Sequence, residues 1–123
     1  MVVLRLLLGQ LILIIDSLTK PNPIAREDKI QEKIDLLTSR LSLYQFNACP
    51  FCVRVRRQIR RQSLKIDLKD AKNDIILKEE LKKEGGKYKV PCLRIDNETG
   101  ETKWLYESTE IIRYLRNEFS TLS

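Results

Sequence analysis

The hydrophobic pattern changes character twice along the chain. From Val2 to Ile15 nearly every residue is apolar, the exceptions being Arg5, Gly9 and Gln10. As a helix this run spans roughly 21 Å at ~1.5 Å per residue, short of the ~30 Å hydrocarbon core of a bilayer. On a helical wheel Arg5, Gly9 and Asp16 fall on one side, with Gln10 and Ser17 beside them and Leu, Ile or Val elsewhere. Pro21-Asn22-Pro23 ends the segment. A charged stretch follows, in which Ile30, Ile34, Leu37 and Leu41 recur at helical spacing. It reads as a connector helix leaning on what comes next.

From Leu41 the texture becomes that of a mixed α/β domain. Leu41 to Phe46 alternates like a strand, and a loop through Asn47-Ala48 runs into a helix from Pro50 to Arg61. Lys65 to Leu68 is a second strand, and Asn73 to Glu84 a second helix stopped by Gly85-Gly86. Lys89 to Ile95 is a third strand, Asp96 to Gly100 a turn, Glu101 to Tyr106 a fourth strand, and Ser108 to Glu118 a closing helix. The order β-α-β-α-β-β-α predicts a parallel βαβ crossover followed by an antiparallel hairpin. The chain thus divides into an apolar amphipathic segment (1–20), a charged helical connector (21–40) and one α/β domain (41–123).

Composition narrows the chemistry. The 123 residues contain no histidine, which removes Ser-His and Cys-His catalysis and His-bearing zinc sites. Lys and Arg outnumber Asp and Glu by 23 to 17, a formal charge of +6 that favours anionic partners without choosing among them. Of the three cysteines, Cys49 and Cys52 form Cys49-Pro50-Phe51-Cys52 at the predicted strand-to-helix junction. A thiol there meets unpaired backbone N–H groups and the positive end of a helix dipole, both of which favour the thiolate. Pro50 suits the first helical turn, where its missing N–H is no loss. Arg54, Arg56, Arg57, Arg60 and Arg61 add positive field on the same helix. No aromatic residues interleave with them, so no nucleic-acid partner is expected. Tetrahedral zinc needs about four ligands. Three Cys without His do not supply them, so no metal is expected within one chain, while a metal or iron–sulfur site shared by two chains stays open.

Residues Leu41 to Phe119 resemble a glutaredoxin, in the thioredoxin-fold superfamily, and toward the end also the N-terminal domain of glutathione transferases. Three motifs in the expected order carry the resemblance: Cys49-Pro50-Phe51-Cys52 with Val53-Arg54 behind it, Val90-Pro91, and Glu107-Ser108 with Ile111 and Tyr114-Leu115 behind it. The resemblance implies a thioredoxin-like β-α-β-α-β-β-α three-layer fold with an N-terminal helical extension. It implies a glutathione-dependent thiol–disulfide oxidoreductase with Cys49 as attacking and Cys52 as resolving thiol. Pro50, Phe51, Arg54, Val90, Pro91, Glu107 and Ser108 would then form the glutathione cradle, with Val90-Pro91 as a cis-proline element and Ser108 also capping the last helix. Glutathione is the implied co-substrate, and no tightly bound cofactor is called for. Disulfide-bearing or glutathionylated proteins are the implied partners.

Several readings stay open at this level. Cys92 is either a core residue or a third redox thiol. Glutathione exchange through Cys49 alone competes with a dithiol route through Cys52. A non-catalytic glutathione- or partner-binding module tethered to a membrane is the alternative to an enzyme. Residues 2–18 could lie in a membrane interface, form a short or shared transmembrane segment, or pack on protein. Lys20, Arg26 and Lys29 favour a cytoplasmic placement of the domain at the inner face of such a membrane.

Overall fold

A computed structural model describes residues 2–120. Met1 and residues 121–123, the extreme ends of the predicted first segment and of the 41–123 domain, lie outside the described residues. The elements run α1 (Val2–Leu18), α2 (Asp28–Thr38), β1 (Leu41–Gln45), α3 (Pro50–Arg61), β2 (Asp67–Asp70), α4 (Ile75–Glu84), β3 (Cys92–Asp96), β4 (Thr102–Tyr106) and α5 (Ser108–Phe119). The sheet order is β2-β1-β3-β4. β1 and β2 are parallel, joined through α3, whereas β1–β3 and β3–β4 are antiparallel. This is the thioredoxin-like three-layer fold, preceded by two helices.

Side-chain alternation in the strands builds two cores on the two faces of the sheet. Leu41, Leu43, Leu93 and Ile95 pack with Val55 and Ile59 of α3 and Ile111 and Leu115 of α5. Tyr44 and Cys92 point the other way, against Ala71 in the turn after β2 and Leu81 of α4. β1 is consequently buried at all five positions, Ser42 and Gln45 included. Its polar–apolar alternation marks which face a residue serves, because helices cover a central strand on both sides. α2 lays Ile34 into the first core with no exposed surface, and Ile30 and Leu37 pack around it.

Two strands start later than their apolar runs suggest. The second pairs from Asp67 rather than Lys65, since Leu64 and Ile66 enter the core from the preceding loop. The third pairs from Cys92 rather than Lys89. Proline lacks the donor a ladder requires, and the Val90–Pro91 peptide bond is cis. α4 begins at Ile75, two residues after Asn73, because the Asp74 carboxylate accepts from the backbone N–H groups of Ile76 and Leu77 and acts as N-cap.

The N-terminal extension is fastened to α3. Arg57 pairs with Asp16 at 3.0 Å and donates to the Thr19 hydroxyl and carbonyl. The Arg60 Nε donates to the Pro21 carbonyl at 3.0 Å. The Ile24 N–H donates to the Arg61 carbonyl at 3.1 Å. Two of the arginines that add positive field to α3 are therefore also the fasteners of α1 and its connector.

Candidate functional site

Register brings the three motifs to one edge of the sheet. Tyr44 pairs with Cys92 and Cys92 with Tyr106, so one row crosses β1, β3 and β4. The segments just beyond that row are the Phe46–Cys49 loop, Val90-Pro91 and Glu107-Ser108. Cross-links between them are direct. The Arg54 guanidinium on α3 donates to the Ser108 hydroxyl at 3.3 Å. Lys89, beside Val90, pairs with Glu107. Nothing about Lys89 had marked it beyond its place next to the proline element.

Cys49 is the N-cap of α3 in extended conformation, with Pro50 at the first helical position. The loop that carries it is clamped by Arg56, which donates to the Gln45 side chain and to the carbonyls of Phe46 and Asn47. Both thiols are free. Cys49 is half-buried, whereas Cys52, one turn inward, has no exposed surface. Burial pushes the Cys52 thiol up to about 12, against a hydrogen bond from the Phe46 N–H that favours its thiolate. The charge of Cys49 and a hydrogen bond with it push the same way as burial. The pair is thus asymmetric: Cys52 keeps its proton at neutral pH and Cys49 is the sulfur within reach. Phe51 stands 58% exposed at the rim.

Ser108 is not the N-cap of α5. Glu107 occupies that position with φ +71°, and Ser108 is the first helical residue, buried, its hydroxyl taken up by Arg54. A left-handed residue at the cap turns the chain sharply into the helix, which tucks the following side chain inward. Cys92 belongs to the second core. It has no exposed surface, burial pushes its thiol up to about 11, and it is hydrogen-bonded with Tyr106.

The face of α1 turned to the domain carries Gly9, Ile12, Leu13 and Asp16, its least exposed residues. Gly9 is buried where a Cβ would come within 3.1 Å of the Ala48 Cβ, a spacing too tight for a larger residue without movement. A cavity of about 340 Å³ opens beside Cys49, between Leu8, Gly9 and Ile12 of α1 and Phe46, Ala48 and Pro50 of the loop. Arg5 and Lys72 also line it. The single glycine in the apolar run was the one sequence signal of this approach. α1 therefore forms a wall of the thiol site.

The family model for the N-terminal domain of glutathione S-transferases matches residues 43–122, about two thirds of the chain. The chain belongs to that family. No curated protein and no solved structure matches it. Membership of the glutathione S-transferase N-terminal-domain family makes this a glutathione-related thioredoxin-fold protein and is compatible with an enzyme-like role. Residues 1–42, and with them α1 and α2, lie outside the match.

Proposed function

We propose that the protein is a glutathione-dependent thiol–disulfide oxidoreductase that works through Cys49. The observation that carries this is the asymmetry of the dithiol: an accessible sulfur at a helix N-terminus beside a buried one that holds its proton. Attack falls to Cys49, since the thiolate is the nucleophile. Arg54, Val90, Pro91, Glu107 and Ser108, with Pro50 and Phe51 at the rim, serve as the cradle for glutathione. In it the α5 N-terminus and Arg54 receive a carboxylate.

The reaction runs in two exchanges. The Cys49 thiolate attacks the glutathionyl sulfur of a protein–glutathione mixed disulfide. The Cys49–glutathione disulfide forms, and the substrate protein leaves as its thiolate, which takes a proton from water. A glutathione thiolate then attacks the glutathionyl sulfur on Cys49, releasing oxidised glutathione and regenerating the Cys49 thiolate. In the dithiol route Cys52 attacks the Cys49 sulfur, expels glutathione and closes a Cys49–Cys52 disulfide that two further glutathiones reduce. Cys52 has no exposed surface and burial is the main cause that holds its proton, which favours the first route for glutathionylated substrates.

The test is glutathione-dependent reduction of a small mixed disulfide, coupled to glutathione reductase. Cys49→Ser should abolish turnover, at least ~10³-fold as for loss of a covalent nucleophile. Cys52→Ser should retain most of it. Equal loss in both variants would establish the dithiol route instead, and an inactive wild type would remove the enzymatic reading.

The second part of the proposal concerns location. No helix among the described residues is long and apolar enough to cross a membrane. Yet α1 turns Asp16 and Gly9 toward the domain and leaves Leu4, Leu11 and Leu18 exposed at 57%, 51% and 80%. An apolar face directed outward suits the interfacial zone of a bilayer. We place the protein in the cytoplasm at the inner surface of a membrane, where vesicle flotation reads the attachment.

A further inference from the structure

We infer that the groove between α3 and α5 is a second ligand site, built for a phosphorylated anion of two or more charges. On α3, Arg54, Arg57 and Arg61 recur at intervals of three and four residues and so share one face. On α5, Arg113 and Arg116 do the same. The two faces flank a cavity of about 410 Å³, within the range of small-molecule sites. Five guanidinium groups line it, and among the described residues no carboxylate does.

Arg57 is paired with Asp16 and Arg113 with Glu110, each at 3.0 Å. Two of five positive charges are thereby offset, and the groove keeps a formal charge of about +3. Like charges four apart on a helix, as in Arg57 and Arg61, destabilise it. A solvated face tolerates that cost, but converging two such rows on one concavity compounds it, and a bound anion relieves it. The planar guanidinium fork matches phosphate oxygens two at a time. The Thr109 hydroxyl and the Asn117 amide add neutral donors to the same lining.

The groove shares Arg54 with the proposed glutathione cradle, so its test is built around residues outside that cradle. The full chain is titrated with pyrophosphate by calorimetry. In parallel it is mixed with phosphatidylcholine vesicles with and without phosphatidic acid. The R61Q/R116Q variant removes two groove charges. K33Q/K103Q removes the same charge from exposed positions elsewhere. Pyrophosphate should bind the wild type and bind R61Q/R116Q at least ~10-fold more weakly, given the worth of charge-assisted hydrogen bonds. K33Q/K103Q should change the affinity by less than ~2-fold. If the same arginines govern only the extra binding to phosphatidic-acid vesicles, the natural anion is a lipid headgroup. If they govern only pyrophosphate, it is a soluble phosphate compound. Equal losses in the two variants, no binding of either probe, or displacement of pyrophosphate by glutathione would each overturn the proposal. Displacement would show the groove to be the peptide's own carboxylate site.

Discussion

At the scale of single residues, the proposed chemistry is a matter of which sulfur is reachable. Cys49 and Cys52 share a motif, a helix turn and a hydrogen bond, yet one is accessible and the other sealed. Burial also makes the thiols a source of alkaline sensitivity. The pKa values of Cys52 and Cys92 are raised in the fold, from 9.0 to about 12 and about 11. Below about 9 both are protonated whether the chain is folded or not, and they give stability no pH dependence. Above that the unfolded chain has released protons the fold still holds, so stability falls as pH rises toward the folded values. The slope for each buried thiol approaches at most about 1.4 kcal/mol per pH unit. Urea midpoints measured from about pH 8 to about pH 11 should therefore decline in the wild type, and less steeply in Cys92→Ala.

At the scale of elements, α1 is the unusual part. Helices of water-soluble domains bury most of their apolar surface, whereas α1 lays only Gly9, Ile12, Leu13 and Asp16 toward the domain and leaves the rest of its apolar residues outward. Asp16 and Gly9 are what α3 and the Cys49 loop require: an ion-pair partner for Arg57, and a residue small enough to meet Ala48. Leu4, Leu6, Leu7, Leu11 and Leu18 are left to whatever lies outside. Replacing Leu4, Leu11 and Leu18 together by Gln should reduce co-flotation with anionic vesicles by at least ~10-fold, since each removes outward apolar area and none faces the domain. Glutathione exchange by that variant in solution should stay unchanged. Undiminished flotation would instead assign membrane attachment to another surface. The wheel projection already separated Arg5, Gly9 and Asp16 from the apolar residues. It could not say which side met protein, because amphipathicity is symmetric with respect to inside and outside until a neighbour is fixed.

At the scale of the whole molecule, the connector and the domain share a core. Ile34 has no exposed surface and sits among residues of β1, α3, β3 and α5. Ile34→Ala should cost about 2–5 kcal/mol in chemical denaturation, the range for truncating a buried branched side chain. A loss below about 0.5 kcal/mol would mean that α2 is a solvated lever. The element order, the hairpin and the three site motifs could be read from the sequence, since hydrophobic period and turn residues are local properties. So could the likeness to a glutaredoxin-type thiol site, because Cys49-Pro50-Phe51-Cys52 at a strand-to-helix junction is a local arrangement. The late starts of β2 and β3 were not legible, because pairing depends on where the partner strand ends. Neither was the position of Ser108, which Glu107 displaces from the cap through a left-handed turn. By itself the sequence determined the order of elements and the candidate thiol pair, which arise from neighbours along the chain. Only the tertiary structure decided that Cys52 is sealed, that α1 walls the thiol site with its apolar side turned outward, and that five arginines meet in one groove. Each of those depends on residues far apart in sequence coming to the same place, and no pattern along the chain encodes that meeting.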